Sequence, residues 1–321
     1  MSMMLDKKRS LPQAGVDKNA FRYRALRDLA MNKYVYLMLV PVVAYYLIFY
    51  YVPIYGLQIA FKDYSMGLGM WASDWVGIQH FQDFFNSYYF WRLLRNTMLL
   101  SFYELLFGFP ASIILALLLN ELRSALVKRA VQTITYMPHF ISIVIISGML
   151  VDFLNRDGLF NHLLVGLGIE PVAFLSESGW FRTIFVSSNI WQNVGWGSII
   201  YLSAMSSIDS SLYEAAKMDG ASRWKQVFHI TLPGIMPTVI ILLILQIGNF
   251  MAVGTEKILL LYNSTTYETA DVIGTFVYRK GILEANFSYS AAVGLFNSLI
   301  NFTLLFLANA ISRKTSDTRL W

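Results

Sequence analysis

The side chains best suited to chemistry in this chain are amides and flat aromatic rings set inside apolar runs. Trp191, Asn193 and Trp196 fall within NIWQNVGWG (189–197), beside Gln192. Gln246 and Asn249 stand three apart, and Asn297 and Asn301 four apart, so each pair shares a helix face. Glu104 lies inside a second apolar run. Amides beside aromatic rings suit a sugar, whose hydroxyls take hydrogen bonds and whose C–H faces stack on rings. The same amides also serve to bond one membrane helix to another, and spacing alone leaves both uses open. Catalytic and metal constellations are missing. There is no GxxxxGK followed by Ser or Thr, no GxSxG and no HExxH, and His80, His139, His162 and His229 are scattered. No cysteine is present, which excludes thiolate chemistry, cysteine-ligated metals and disulfides.

The elements that must hold these residues are read from composition. Of 321 residues, 56% are hydrophobic and only 14% charged, far below the roughly 25% charge of soluble domains. Six apolar runs approach the ~20 residues that cross a bilayer: 34–52, 97–119, 136–153, 183–203, 237–253 and 290–311. An all-α integral membrane protein with six transmembrane helices is expected. The segments 1–33, 120–133, 204–236 and 312–321 hold 17 of the 25 Lys and Arg residues. The positive-inside rule puts these segments, and both termini, in the cytoplasm. The expected organisation is a cytoplasmic, interfacial leader over 1–33, a six-helix transmembrane domain over 34–311 containing the loop 209–233, and a short cytoplasmic tail over 312–321. The basic residues of the leader, FRYRALRDLAMNK included, suit anionic lipid and not nucleic acid. The aromatic-rich outer stretch 54–91 has room for a short surface element before the second span. Lys257 is counted, with seven others, among the basic residues of the outer segments and the helix ends attached to them.

The cytoplasmic loop 209–233 is longer than a connection needs. Within YEAAKMDGASRWKQVFHITLPG (213–234), Ser211 and Glu214 fit a capping box that opens a short helix. Gly220 supplies the left-handed residue that ends it. A second helix then carries Ala221, Trp224 and Phe228 on one face, with Leu232-Pro233 as its expected stop. Small residues at Ala215, Ala216 and Ala221 let another surface approach closely, so the pair reads as a docking element or as a solvated loop.

This loop resembles the cytoplasmic signature of binding-protein-dependent ABC importer permeases, E-A-A-x3-G-x9-I-x-L-P. The match falls on Glu214, Ala215, Ala216, Gly220, Ile230, Leu232 and Pro233, and Asp219, Ala221 and Phe228 fit its fuller form. WVGIQHFQDFF (75–85), LLRNTMLLS (93–101), YMPHFIS (136–142), DGLFN (157–161) and IWQNVGW (190–196) are similar to segments of sugar-type permeases in the same order. VPIYGLQIAFKDYS (52–65) resembles a Gram-positive branch serving oligosaccharides from polysaccharide breakdown, within which a subunit for pectin-derived, rhamnogalacturonan-type oligosaccharides is expected. The resemblance implies the type I importer permease fold and no catalysis by this chain. It also implies a second homologous permease, a cytoplasmic ATPase dimer that binds ATP and Mg, and an extracellular solute-binding lipoprotein. In that setting Glu214 to Ala221 is the coupling helix, and Glu104, Trp191, Asn193, Trp196, Gln246, Asn249 and Asn297 are candidates for the substrate path. The rivals are an ion-coupled secondary sugar carrier, a permease for another solute class and a membrane-embedded enzyme. The sparse intramembrane charge argues against the first, and the missing catalytic constellations against the last.

Overall fold

The computed structural model describes residues 27–315. Residues 1–26 of the leader and 316–321 of the tail lie outside them. The chain divides into two compact units, 1–58 and 59–321. In the first, helix α1 (Lys33–Tyr46) runs into a π turn, Leu47–Tyr51, and a final helical turn, Val52–Tyr55.

The second unit opens with a two-strand hairpin, β1 (Lys62–Asp63) antiparallel to β2 (Asp74–Trp75), followed by the short helix α2 (Gln79–Phe85). This is the surface element that the outer stretch had room for. Its aromatics do more than decorate an interface. Phe84 is buried among Phe90, Phe276, Tyr289 and Phe296, so α2 docks onto the helices behind it through a packed ring cluster.

Helix α3 (Phe90–Tyr103) and α4 (Phe109–Glu121) are joined by a π turn, Glu104–Gly108, into one rod. Then come α5 (Ala125–Tyr136), α6 (Ile143–Leu154), α7 (Leu159–Gly166) and the long α8 (Ser178–Ser206). The loop 209–233 folds as α9 (Ser210–Met218) and α10 (Arg223–Gln226), and α10 continues through a π turn into α11 (Leu232–Gly248). The short α12 (Thr255–Leu261) and α13 (Ile273–Tyr278) precede the terminal α14 (Phe287–Thr315).

Four of these stretches are long and apolar enough to cross a membrane: Lys33–Phe61, Phe90–Glu121, Arg223–Gly248 and Phe287–Lys314. A fifth is the pair Ala125–Phe140 and Ile143–Gly166, bent by 100°. The expected continuous run over 136–153 is therefore broken. Ser142 caps α6 by accepting from Val144 N–H, and the chain turns there. Helix α8, on the expected fourth span, is less apolar than these and carries Asn189, Gln192 and Asn193.

Proline placement corrects a second expectation. Leu232-Pro233 does not end a helix; α10 and α11 are one continuous rod from Arg223 to Gly248. A proline ring clashes with the carbonyl four residues before it and offers no N–H to that carbonyl. For Pro233 that residue is His229, at the centre of the π turn Val227–Thr231. Pro110 stands in the same relation to Leu106 in Glu104–Gly108, and Pro53 to Phe49 in Leu47–Tyr51. In each case a widened turn takes up the clash, and the helix goes on.

Two further buried clusters lock the second unit. Phe181, Phe185 and Val186 of α8 pack on Ile258 and Leu261 of α12, and Ala116, Tyr201, Met205 and Ile235 join α4, α8 and α11. Helices α5 and α8 approach closely at Gly195, where a Cβ would fall 2.0 Å from the Thr135 carbonyl oxygen.

Candidate functional site

A cavity of about 340 Å³ lies between α4, α8 and α11 and the π turn after α3, within the roughly 300–1,000 Å³ of small-molecule sites. Glu104, Asn193, Trp196, Gln246 and Asn249 all line it. Five of the seven path candidates thus share one wall system. Asn189, Ser112 and Tyr201 line it too, though sequence reasoning did not single them out. The signal for Asn189 was present, since it stands four residues before Asn193 on the same helix face.

Each polar group is held by another. Asn193 Nδ2 donates to the Asn189 carbonyl at 3.1 Å, which turns its Oδ1 toward His139, whose Nδ1–H donates at 3.0 Å. The His139 ring stacks on Trp196 with centroids 4.7 Å apart and planes 3° from parallel, and Phe140 meets the indole edge-on. Trp196 is therefore fixed by one face and one edge while still lining the cavity. Glu104 Oε1 accepts from Asn189 Nδ2 at 3.0 Å. Asn249 sits just past the end of α11, donating to the Leu245 carbonyl at 3.2 Å. Amides, one carboxylate and one fixed indole can bind hydroxyls and a C–H face together.

The other two candidates lie elsewhere. Trp191 faces a separate apolar cavity with Met149, Phe160 and Trp180, because two positions from Asn189 turn a helix by about 200°. Asn297, on α14, has a buried Oδ1 with no partner among the described residues. Its neighbour Asn301 accepts from Met251 N–H at 2.8 Å, which is helix-end packing. Gln192 is likewise spent on the Ile141 carbonyl.

In the loop 209–233, the cap of α9 differs from expectation. Asp209, not Ser211, is the N-cap, accepting from Ser211 N–H at 2.9 Å. Ser211 sits inside the first turn, so the expected Ser211–Glu214 box does not form. Hydrogen bonds from Ser211, its backbone N–H first and then its hydroxyl, hold the Asp209 carboxyl below the usual carboxylate range. The other end follows expectation. Gly220 has φ +73°, Ala221 N–H donates to the Ala216 carbonyl at 2.8 Å and Gly220 N–H to Lys217 at 3.1 Å. That is a Schellman closure, and it accounts for a glycine four residues after Ala216.

Glu214, Ala215, Asp219, Gly220, Phe228 and Pro233 are exposed, while Ala216, Ala221 and Leu232 are half-buried. Two contacts tie α9 and α10 to what lies behind them, and a third closes the loop between the two helices onto α10. The Tyr213 hydroxyl meets Thr231 Oγ1 at 2.9 Å, Gln226 Nε2 donates to the Ala221 carbonyl at 3.0 Å, and Arg223 pairs with Glu121 at 2.9 Å. Tyr213 thus joins α9 to the π turn before α11, and Arg223 joins α10 to α4.

A family model for the inner-membrane component of binding-protein-dependent transport systems matches residues 108–317. This chain belongs to that family. The permease is 47% identical to the protein LplB of Bacillus subtilis (strain 168), across 98% of both chains. It is 44% identical to the polygalacturonan/rhamnogalacturonan transport system permease protein YteP of the same organism, across 96% of both. Among solved structures, one chain of a bacterial alginate ABC transporter, in complex with alginate pentasaccharide-bound periplasmic protein, matches at 45% identity. Its TM-score is 0.86, over 92% of this permease and 100% of that chain. The fold is that of type I ABC importer permeases, and the protein is a membrane transport subunit.

Proposed function

We propose that this permease passes oligosaccharides from acidic plant polysaccharides through the cavity between α4, α8 and α11, driven by a cytoplasmic ATPase dimer docked on α9. The observation that carries the reading is the convergence of Glu104, Asn193, Trp196, Gln246 and Asn249 on one cavity. Support for the substrate class comes from the polygalacturonan/rhamnogalacturonan permease and the alginate importer, both at close to half identity over nearly the whole chain.

The permease crosses the membrane six times, with both termini in the cytoplasm. Helix α8 serves as one crossing: its 29 residues reach about 43 Å, beyond the ~30 Å hydrocarbon core. Its low apolarity has a physical reason, because Asn189 and Asn193 face the cavity and not lipid. The division into leader, permease domain over 34–311 and tail follows from this topology.

Helix α9 is the coupling element. Its exposed Glu214, Ala215, Asp219 and Gly220 meet the ATPase, while Tyr213, Gln226 and Arg223 carry the displacement inward. ATP and Mg bind the ATPase and not this chain. A second, homologous permease completes the path, and an extracellular solute-binding lipoprotein delivers the sugar.

The test is ATP hydrolysis by the assembled transporter in lipid nanodiscs, titrated with oligogalacturonides in the presence of its binding protein. Stimulation that drops in Asn193→Ala and Asn249→Ala supports the reading. Stimulation untouched by both substitutions sinks the assignment of the cavity as the path.

A further inference from the structure

Counted from sequence among outer basic residues, Lys257 is instead fully buried on α12. Its Nζ donates to Asn189 Oδ1 at 2.7 Å and lies 5.9 Å from the Phe185 ring centre. Asn189 passes the interaction on, since its Nδ2 donates to Glu104 Oε1 at 3.0 Å. An ammonium only donates and a carboxylate only accepts. The amide orientation is therefore dictated from both sides, with oxygen toward Lys257 and nitrogen toward Glu104. Glu104 and Asn189 line the cavity, whereas Lys257 does not. The second carboxylate oxygen of Glu104 has no hydrogen-bond partner among the described residues.

An isolated carboxylate at membrane depth is costly, and in a narrow path it repels a uronate carboxylate. A cation one amide behind the wall removes both objections and leaves the free oxygen of Glu104 as an acceptor. We infer that Lys257 is the hidden counter-ion of Glu104, a positioning residue that keeps the cavity wall near neutral so that Glu104 binds sugar hydroxyls without repelling an acidic oligosaccharide. This rests on the cavity being the path for such sugars. Lys257 itself never touches the sugar; it acts through Asn189.

Three variants decide it: Lys257→Met, Glu104→Gln and the double substitution. Each is assembled with its partners in nanodiscs and assayed for oligogalacturonide-stimulated ATP hydrolysis and for melting temperature. Lys257→Met should lose at least about tenfold in stimulation, since it strands a charge, and should melt below the parent. Removing that charge in the double variant should restore most of both. A double variant no better than Lys257→Met in either readout overturns the inference, because a purely packing role for Lys257 gives that result. A parent transporter that ignores oligogalacturonides overturns the substrate reading alone. The melting cycle then decides by itself whether Lys257 and Glu104 are paired.

Discussion

The Tyr213 hydroxyl and Thr231 Oγ1 lie 2.9 Å apart, joining the exposed helix α9 to the π turn from which α11 rises. Thr231 is buried and Tyr213 half-buried, so this contact lies on the inner side of the loop. Tyr213→Phe removes it and leaves the ring. One such hydrogen bond contributes about 0.5–1.5 kcal/mol. The expected outcome is a two- to tenfold fall (roughly, from that energy) in sugar transported per ATP hydrolysed, with ATPase association intact. An unchanged ratio would show that α9 moves α11 by another route.

Gly220 has φ +73° and open space where a Cβ would project. A substitution there meets backbone strain and no clash. Gly220→Ala should cost about 1–2 kcal/mol of local stability, seen as faster amide exchange across Ser210–Met218. Gly220→Asn, which tolerates the left-handed region better, should recover part of it. Equal exchange in both variants would mean that the Schellman closure does not limit α9.

The cavity separates two tryptophans that the sequence presents as equals. Trp196 lines it, stacked on His139, and Trp191 faces the other way. Trp196→Ala should reduce sugar-stimulated hydrolysis several-fold, since a ring–sugar contact at a built site is worth about 1 kcal/mol or more. Trp191→Ala should affect mainly melting temperature. The reverse pattern in the two assays would move the path to the other side of α8.

Asp271 is buried with Arg279 on both of its oxygens, at 2.7 and 2.8 Å, and Arg92 at 3.1 Å. It ties the start of α3 to the turn that follows α13. Asp271→Asn strands two guanidinium groups, and breaking a buried pair costs about 3–5 kcal/mol. Thermal unfolding in detergent should fall by many degrees, and a melting temperature within error of the parent would show that water already screens the cluster.

Much of this protein was legible in the chain itself. The apolar runs, the basic inner segments and the spacing from Glu214 to Pro233 follow from composition and local order. Helical periodicity also grouped Gln246 with Asn249 correctly, because both line the cavity. Local spacing says which side chains share a face; it does not say what that face meets. Tertiary packing assigned Asn193 and Trp196 to the cavity, Trp191 to a different one and Asn301 to a helix end. It carried α11 through Pro233 by widening one turn, where local rules place a stop. Above all it buried Lys257 behind Asn189, sixty-eight residues away in sequence. A lysine in an aromatic-rich outer stretch and a lysine paired in the interior read alike as letters; only the fold, by taking one out of water, makes its charge matter to Glu104.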